Sequence, residues 1–187
     1  GRFITVIGIP SAFLLHGYVG FIFGSIKANP WWGTVLMPII FIFSAMVSGI
    51  ALMLFLYVIL SRIRRRTIGM DCLETIGKFL FYALVVDAAI ESLDWIHRLY
   101  EAEESIDVLV LLASGKLFYS FLLVQVFLGT VLPLICLGWM EISHRPSGRV
   151  RKLLYFFSSL LILVGVFAMR WNVVIGGQLF SKSFRGF

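Results

Sequence analysis

Ionisable side chains lie inside several apolar stretches of this sequence. His16, Glu91, Lys116 and Arg170 each lie nine or ten residues from the end of a stretch on the same inferred side. At about 1.5 Å per helical residue, all four lie roughly 15 Å below one surface, near the middle of a bilayer. A charge at that depth is costly unless it is paired or hydrated. We therefore predict a buried polar layer that stabilises a helix bundle or conducts protons.

The third apolar stretch carries four ionisable residues at i, i+4, i+7 and i+11, which are Asp87, Glu91, Asp94 and Arg98. This spacing places them on one face of a helix. Three carboxylates that rise towards one surface could pass protons between a buried site and water. The alternative, left open, is structural: Arg98 pairs with Asp94, while Lys116 and Arg170 neutralise the other two acids.

The composition around these residues is that of a membrane protein. Of the 187 residues, 60% are apolar and 14% are charged, and the mean hydropathy is +0.98. A soluble domain of this length does not need so large an apolar fraction. We therefore predict an all-α membrane protein, with residues 1–187 forming a single polytopic transmembrane helix bundle. The predicted spans are residues 3–26, 33–61, 73–100, 107–140 and 150–180.

The distribution of basic residues predicts the orientation. One side of the spans holds Arg2, Arg62, Arg64, Arg65, Arg66, Arg145, Arg149, Arg151 and Lys152. The other side holds Lys27, Arg98, Lys182 and Arg185. The richer side is therefore predicted to be cytoplasmic. Because these basic residues lie in short loops beside apolar spans, the net charge of +6 does not indicate nucleic acid. Membrane lipid is the expected partner of the apolar spans.

Small residues and prolines inside the spans predict how the helices pack. Gly17, Gly20 and Gly24 fall on nearby turns of the first span and would let a second helix approach closely. Kinks or a locally opened backbone are predicted at Pro10, Pro38 and Pro133. These features favour a packed bundle over a lone anchor.

Redox centres and metal sites are not predicted in this chain. Cys72 and Cys136 stand alone, with no CxxC motif and no His at ligand spacing, so we expect no metal ion and no iron–sulfur cluster. His16 and His97 are predicted to differ in depth by roughly 10 Å, which makes them a poor pair of haem ligands. His144 lies in a predicted cytoplasmic loop. We therefore expect no haem.

Three segments resemble the NrfD/polysulfide reductase family of membrane subunits. They are LHGYVGFIFGSIKANPWWGTVLMPIIFIFSAMVSGIALM, DWIHRLYEAEES and RWNVVIGGQLFSKSF. Members of that family usually have about eight to ten spans. The resemblance, which extends over nearly the whole chain, therefore implies that these five spans are part of a larger bundle. The chain opens with Gly1 and Arg2 and no initiator Met, so we expect an N-terminal part to precede it.

The resemblance implies an integral subunit that exchanges electrons between menaquinone or another quinone and a ferredoxin-like iron–sulfur subunit at the outer face. It also implies cytochrome b- and c-type subunits and a further iron–sulfur subunit, in a complex of sulfur or sulfate metabolism in the prokaryotic cytoplasmic (inner) membrane. Proton translocation is a further implied property. The family's principal quinone site is expected outside this chain. Candidate quinone-facing or partner-facing residues in the matching segments are Trp31, Trp32, His97, Arg98 and Asn172.

Two other functional classes are compatible with the pattern. An ion- or proton-coupled secondary transporter also uses charges near the midplane and broken helices. No inverted repeat is visible among the five spans, which counts against that class. A purely structural membrane anchor is the third interpretation, and three acids in one span disfavour it because an anchor does not need them.

Overall fold

The computed structural model describes residues 1–26, 29, 31–65, 67–101, 117–143 and 147–178. Within these ranges the ordered elements are all helical, which confirms the predicted fold class. Five helices follow one another along the chain: α1 Arg2–Gly24, α2 Met37–Ile63, α3 Met70–Glu101, α4 Tyr119–Ile142 and α5 Gly148–Gly176.

Four of these helices, α1, α2, α4 and α5, are long and apolar enough to cross a membrane among the residues described. The chain is therefore a multi-pass membrane protein. α3 is longer than any of them, with 32 residues, but its charged residues lower its apolar character. At about 1.5 Å per residue it is longer than the roughly 30 Å thickness of a bilayer's hydrocarbon core. We therefore keep α3 as a proposed fifth span.

The helices pack around α2 and α5. α2 contacts α1, α3 and α5, and α5 also contacts α3 and α4. The main core lies where these four inner helices meet and includes Val47, Ala51, Leu54, Leu80, Leu137 and Ile162. α1 packs along α2 and exposes most of its apolar side chains.

Glycines permit the closest helix contacts. A Cβ atom on Gly20 would lie 2.6 Å from the Cα of Pro38, and one on Gly24 would lie 2.8 Å from the carbonyl oxygen of Thr34. The close approach predicted from the glycines of the first span is therefore confirmed. Gly129 of α4 and Gly165 of α5 also meet backbone to backbone.

One of the three prolines lies at a helix start and not in a helix interior, where a kink was predicted. Pro38 lies in the first turn of α2, where its missing N–H would have no partner in any case. α4 changes its winding at Pro133: Tyr119–Val131 is π-helical and Leu132–Ile142 is α-helical. Pro10 lies inside α1, and the helix continues through it.

The π-helical winding alters which side chains of α4 point inwards. From Phe121 to Leu137 its buried residues fall at every fourth position, namely Phe121, Gln125, Gly129, Pro133 and Leu137, and Met140 follows after three. α5 ends in a second π-helical turn, Asn172–Gly176. Such wide turns are frequent at functional sites. Here they bring Gln125 and Asn172 together in the bundle interior.

The two ends of the bundle differ in chemistry. The end that we name the basic end holds Arg62, Arg64, Arg65, Arg149, Arg151 and Lys152. Arg151 of α5 pairs with Glu74 of α3 at 2.8 Å, so the first turns of these two helices lie side by side there. The opposite end, which we name the tryptophan end, holds Trp31, Trp32 and Trp95.

Candidate functional site

Asp94 is the centre of a buried polar cluster near the tryptophan end. Its Oδ1 accepts a hydrogen bond from the Thr34 hydroxyl at 2.6 Å, and its Oδ2 accepts one from Arg98 Nε at 2.8 Å. Asp94 and Arg98 are only 6% and 5% exposed. Both residues lie on α3, whereas Thr34 comes from the connection between α1 and α2. The ion pair that the structural alternative predicted is therefore present, and both carboxylate oxygens of Asp94 are engaged.

An aromatic group covers this cluster. The Arg98 guanidinium carbon lies 5.0 Å from the centroid of the Trp31 ring, within the range of a cation–π interaction. Trp31 in turn contacts Trp95 and Phe121, at centroid distances of 5.9 and 6.2 Å. The rings of Trp95 and Phe121 are 4.6 Å apart. These rings reduce access of water to the ion pair, which strengthens it.

The segment that carries Trp31 is fastened to the end of α5. Asn29 Nδ2 donates to the carbonyl of Gly177, and Trp32 Nε1 donates to the carbonyl of Val173, each at 2.6 Å. The last carbonyls of a helix lack partners within the helix, so side-chain donors satisfy them here. Asn29 Oδ1 also accepts from the backbone N–H of Trp31 at 2.9 Å. This connection therefore holds Trp31 and Thr34 in place over the cluster.

A second polar cluster links α4 with α5. Asn172 Nδ2 donates to Gln125 Oε1 at 3.0 Å, and Ser120 donates to Asn172 Oδ1 at 2.7 Å. Asn172 is 1% exposed and Gln125 is 6% exposed. An amide buried at this depth needs such partners, because an unsatisfied polar group is costly. The predicted candidate Asn172 is therefore an interior residue.

A small cavity adjoins both clusters. Its volume is about 40 Å³, and its polar lining consists of Glu91, Asp94, Arg98 and Gln125. The remaining lining is apolar and aromatic. One buried water needs on the order of 10–15 Å³ of such volume, whereas pockets for organic ligands are typically about 300–1,000 Å³. The cavity therefore suits water and is too small for a quinone ring.

The described ionisable residues deeper in the bundle do not pair with one another. Asp87 is 5% exposed, and its Oδ1 has no hydrogen-bond partner among the described residues. Arg170 is half-buried, and its guanidinium carbon lies 5.5 Å from the centroid of the Phe41 ring. In the described part of the chain, no ion pair joins Arg170 to Asp87 or Glu91. Lys116 lies outside the described residues. The neutralising contacts predicted for Arg170 are therefore not formed in this structure.

The two membrane histidines do not join the cluster. His16 Nδ1 is 2.9 Å from the Ala12 carbonyl of its own helix. It lines a separate groove of about 200 Å³ between α1 and α2, beside Ile42 and Met46. His97 is exposed on α3. Within the described ranges, no three His, Cys, Asp or Glu side chains are grouped so that they could hold a metal ion.

The five candidates for contact with a quinone or a partner divide by burial. Trp31, Arg98 and Asn172 are buried inside the bundle. Trp32 is half-buried and His97 is exposed, so these two have side-chain surface outside the bundle interior.

Sequence reasoning missed several residues of the site. Thr34, Ser120 and Gln125 supply hydrogen bonds, and Trp95 and Phe121 supply the aromatic cover. Gln125 was detectable, because it is a lone amide in the apolar run FLLVQVFLG. Thr34 gave no signal, because a threonine in a turn is ordinary.

Comparison with known proteins gives one family and two curated relatives. The family described as "Polysulphide reductase, NrfD" matches residues 1–182. A selenate reductase subunit of Mesobacillus selenatarsenatis is 28% identical over 176 residues, which cover 93% of this chain and 39% of that protein. The Hdr-like menaquinol oxidoreductase integral membrane subunit of Archaeoglobus fulgidus is 25% identical over 188 residues, with 98% and 45% covered. The chain thus spans less than half the length of either relative.

Proposed function

This chain belongs to the NrfD polysulphide reductase family, and from that membership we propose that it is a membrane subunit of a quinone-linked respiratory redox complex. In this role it exchanges electrons between the membrane quinone pool, with menaquinone as the expected quinone, and an iron–sulfur subunit. The two relatives support the proposal, because one is named as a reductase subunit and the other as a menaquinol oxidoreductase membrane subunit.

The specific complex that we propose is one of sulfur or sulfate metabolism. The three segments quoted above resemble DsrP, the membrane subunit of the Dsr complex. The partners on this proposal are a ferredoxin-like iron–sulfur subunit at the tryptophan end, a further iron–sulfur subunit, and cytochrome b- and c-type subunits. The tryptophan end then faces outwards from a prokaryotic cytoplasmic membrane, and the basic end faces the cytoplasm.

The family match over residues 1–182 is the observation that carries the proposed redox role. The water-sized cavity between the two buried polar clusters supports the proposed proton translocation. Purely structural polar residues are normally satisfied by one another. Here the buried Oδ1 of Asp87 lacks a hydrogen-bond partner among the described residues. Glu91, which is hydrogen-bonded to Gln125, lines a space with room for water. Acidic chains of this kind are typical of proton pathways in membrane proteins.

Asp87, Glu91 and Asp94 on α3 each have their own role in the proposed proton route. Asp94 is fixed by hydrogen bonds from Thr34 and Arg98, which engage both of its carboxylate oxygens. It therefore serves as a fixed negative charge that orients water in the cavity. Glu91 holds or releases a proton next to that water, and Asp87 continues the route one helical turn deeper. The quinone ring is bound by other residues, because this cavity is too small for it.

The test is to purify the complex through a tag on this chain and measure electron transfer. We expect iron–sulfur subunits to co-purify and to be reduced when a menaquinol analogue is added. An isolated protein that shows no quinol-dependent reduction and accumulates a solute in vesicles would overturn the proposal in favour of a transporter.

A further inference from the structure

A recess much larger than the buried cavity lies at the basic end. Its volume is about 830 Å³, and it opens between the last turns of α2 and the first turns of α5. Thr67 and Ile68, from the connection between α2 and α3, complete its lining. A volume of several hundred Å³ is in the range of pockets that hold organic ligands.

The charged side chains that line this recess are all cationic. Its charged lining residues are Arg62, Arg149 and Lys152, and no acidic residue lines it. Of three acids described at the same end, Glu74 and Glu141 are paired with Arg151 and Lys78, and Asp71 does not line the recess. In the part of the chain that the structure describes, the three lining cations form no ion pair. Three like charges held together repel one another, so an anion between them would be stabilising.

Most of the remaining lining is apolar, and part of it lies deeper in the bundle than the cations. Val58 and Ile59 come from α2, one turn before Arg62, and Leu153 and Phe157 come from α5, after Lys152. Leu153 and Phe157 are 52% and 53% exposed. The recess thus has a cationic rim at the level of the membrane surface and an apolar floor at the level of the acyl chains. α5 also begins at this rim, and the positive end of its dipole adds to the attraction for an anion.

We propose that this recess is a binding site for an anionic phospholipid. The headgroup phosphate lies between Arg62, Arg149 and Lys152, and one acyl chain lies along Leu153 and Phe157. Basic pockets between transmembrane helices on the cytoplasmic side suit anionic headgroups. A neutral quinone would leave all three cations unpaired, so charge complementarity favours the phospholipid.

The experiment compares how much of two phospholipids the full-length protein retains. The protein is purified in its complex and its bound lipid is removed first. The complex is mixed with equal amounts of phosphatidylglycerol and phosphatidylcholine of the same acyl composition, and the bound lipid is quantified by mass spectrometry. We expect phosphatidylglycerol to be retained preferentially. Each basic residue near an anionic lipid contributes about fivefold in affinity. The triple variant Arg62→Gln, Arg149→Gln, Lys152→Gln should therefore lower this preference by at least about tenfold.

The matched control removes three charges from the same end outside the recess. The variant Arg2→Gln, Arg64→Gln, Arg65→Gln should keep the preference, because none of these residues lines the recess. The charge-preserving pair Arg62→Lys and Arg149→Lys should also keep it. Leu153→Trp leaves the charges in place and fills the apolar floor, so it should reduce the amount of tightly held lipid.

Three results would overturn the proposal. The first is an unchanged preference for phosphatidylglycerol in the recess variant. The second is an equal fall of that preference in the control variant, because this would indicate general attraction to the charged surface. Alternatively, a menaquinone analogue would displace the lipid and bind the recess variant as well as the parent, which would identify the recess as a quinone site.

Discussion

Asp94 and Arg98 form an ion pair one helical turn apart on α3, with Arg98 Nε 2.8 Å from Asp94 Oδ2 and both side chains under 10% exposed. The energetics of a buried ion pair differ from those of an ion pair on a protein surface. Taking two charges out of water is costly, and the pair compensates for this only while both partners are present. The removal of one partner is therefore more damaging than the removal of both.

The first prediction concerns this pair. Arg98→Met should destabilise the bundle by about 3–5 kcal/mol, because it leaves a buried carboxylate without its cation. The double variant Arg98→Met, Asp94→Leu should recover part of the loss. Lys78→Met is the control, since Lys78 pairs with Glu141 in an exposed position and its loss should leave assembly near the parent level. Thermal unfolding and the amount of assembled protein in membranes provide the measurement. Equal stability of the two Arg98 variants would contradict the argument.

The second prediction separates proton transfer from structural support. Glu91→Gln keeps the shape of the side chain but cannot exchange a proton, so the complex should assemble with its normal subunits. In sealed vesicles, quinol-linked turnover should persist or slow, while any accompanying pH change decreases. Glu141→Gln at the basic end is the control and should leave the pH change intact. An undiminished pH change in the Glu91 variant would remove this residue from a proton route.

Asp94→Asn should behave differently from Glu91→Gln. The neutral amide would leave the buried Arg98 without its counter-charge, and its NH2 group could face Thr34 only if the Thr34 hydroxyl changed from donor to acceptor. We expect about 1–3 kcal/mol of destabilisation from the mismatched contact, seen as less assembled complex. If Asp94→Asn assembles as well as Glu91→Gln, these contacts are dispensable.

A further prediction concerns the crossing of α4 and α5. Gly129→Ala would place a methyl group against the backbone of Gly165. Overpacking of this kind typically costs about 1–3 kcal/mol, so assembly should fall. Gly49→Ala is the matched control on α2, where nothing lies within 4 Å of the added carbon, and Ala in a helix is favoured over Gly by about 0.5–1 kcal/mol. The two variants should therefore change thermal stability in opposite directions. A gain in both would show that the helices can separate at the crossing.

The last prediction tests whether α3 crosses the membrane. Cys72 is exposed in the first turn of α3, and Tyr100, at the other end, is 89% exposed. In a Cys136→Ala background, an impermeant maleimide should label Cys72 from the cytoplasm only. In a background without either native cysteine, Tyr100→Cys should be labelled only from outside. Labelling of both positions from one side would remove α3 from the set of spans, and exchanged sides would reverse the proposed orientation.

The sequence predicted much of the helical framework, because apolar length and glycine spacing act within one segment. The close contact of Gly20 with Pro38 follows from a small residue on a helix face, and the Asp94–Arg98 pair follows from i, i+4 spacing. These are local relations. The start of the second span was predicted at residue 33, whereas α2 begins at Met37. The turn before α2 and the first-turn position of Pro38 account for this displacement.

The contacts between helices were not predictable in the same way. Thr34 reaches Asp94 across 60 residues, and Asn172 reaches Gln125 across 47. Such contacts depend on how each helix is rotated about its own axis, and the π-helical winding of α4 changes that rotation. Arg170 illustrates the limit: its depth suggested an acidic partner, but its guanidinium lies over Phe41 instead.

The fastening of the connection after α1 to the end of α5 has a consequence for biogenesis. Asn29 and Trp32 bond to carbonyls that lie 148 and 141 residues later in the chain. At synthesis rates of about 5–20 residues per second, roughly 7–30 seconds pass between the synthesis of the two donor residues and the synthesis of the residues that carry their acceptor carbonyls. During that interval Thr34 and Trp31 are not yet locked over Asp94. The cover of Thr34 and Trp31 over the buried ion pair is therefore completed only after α5 has entered the membrane.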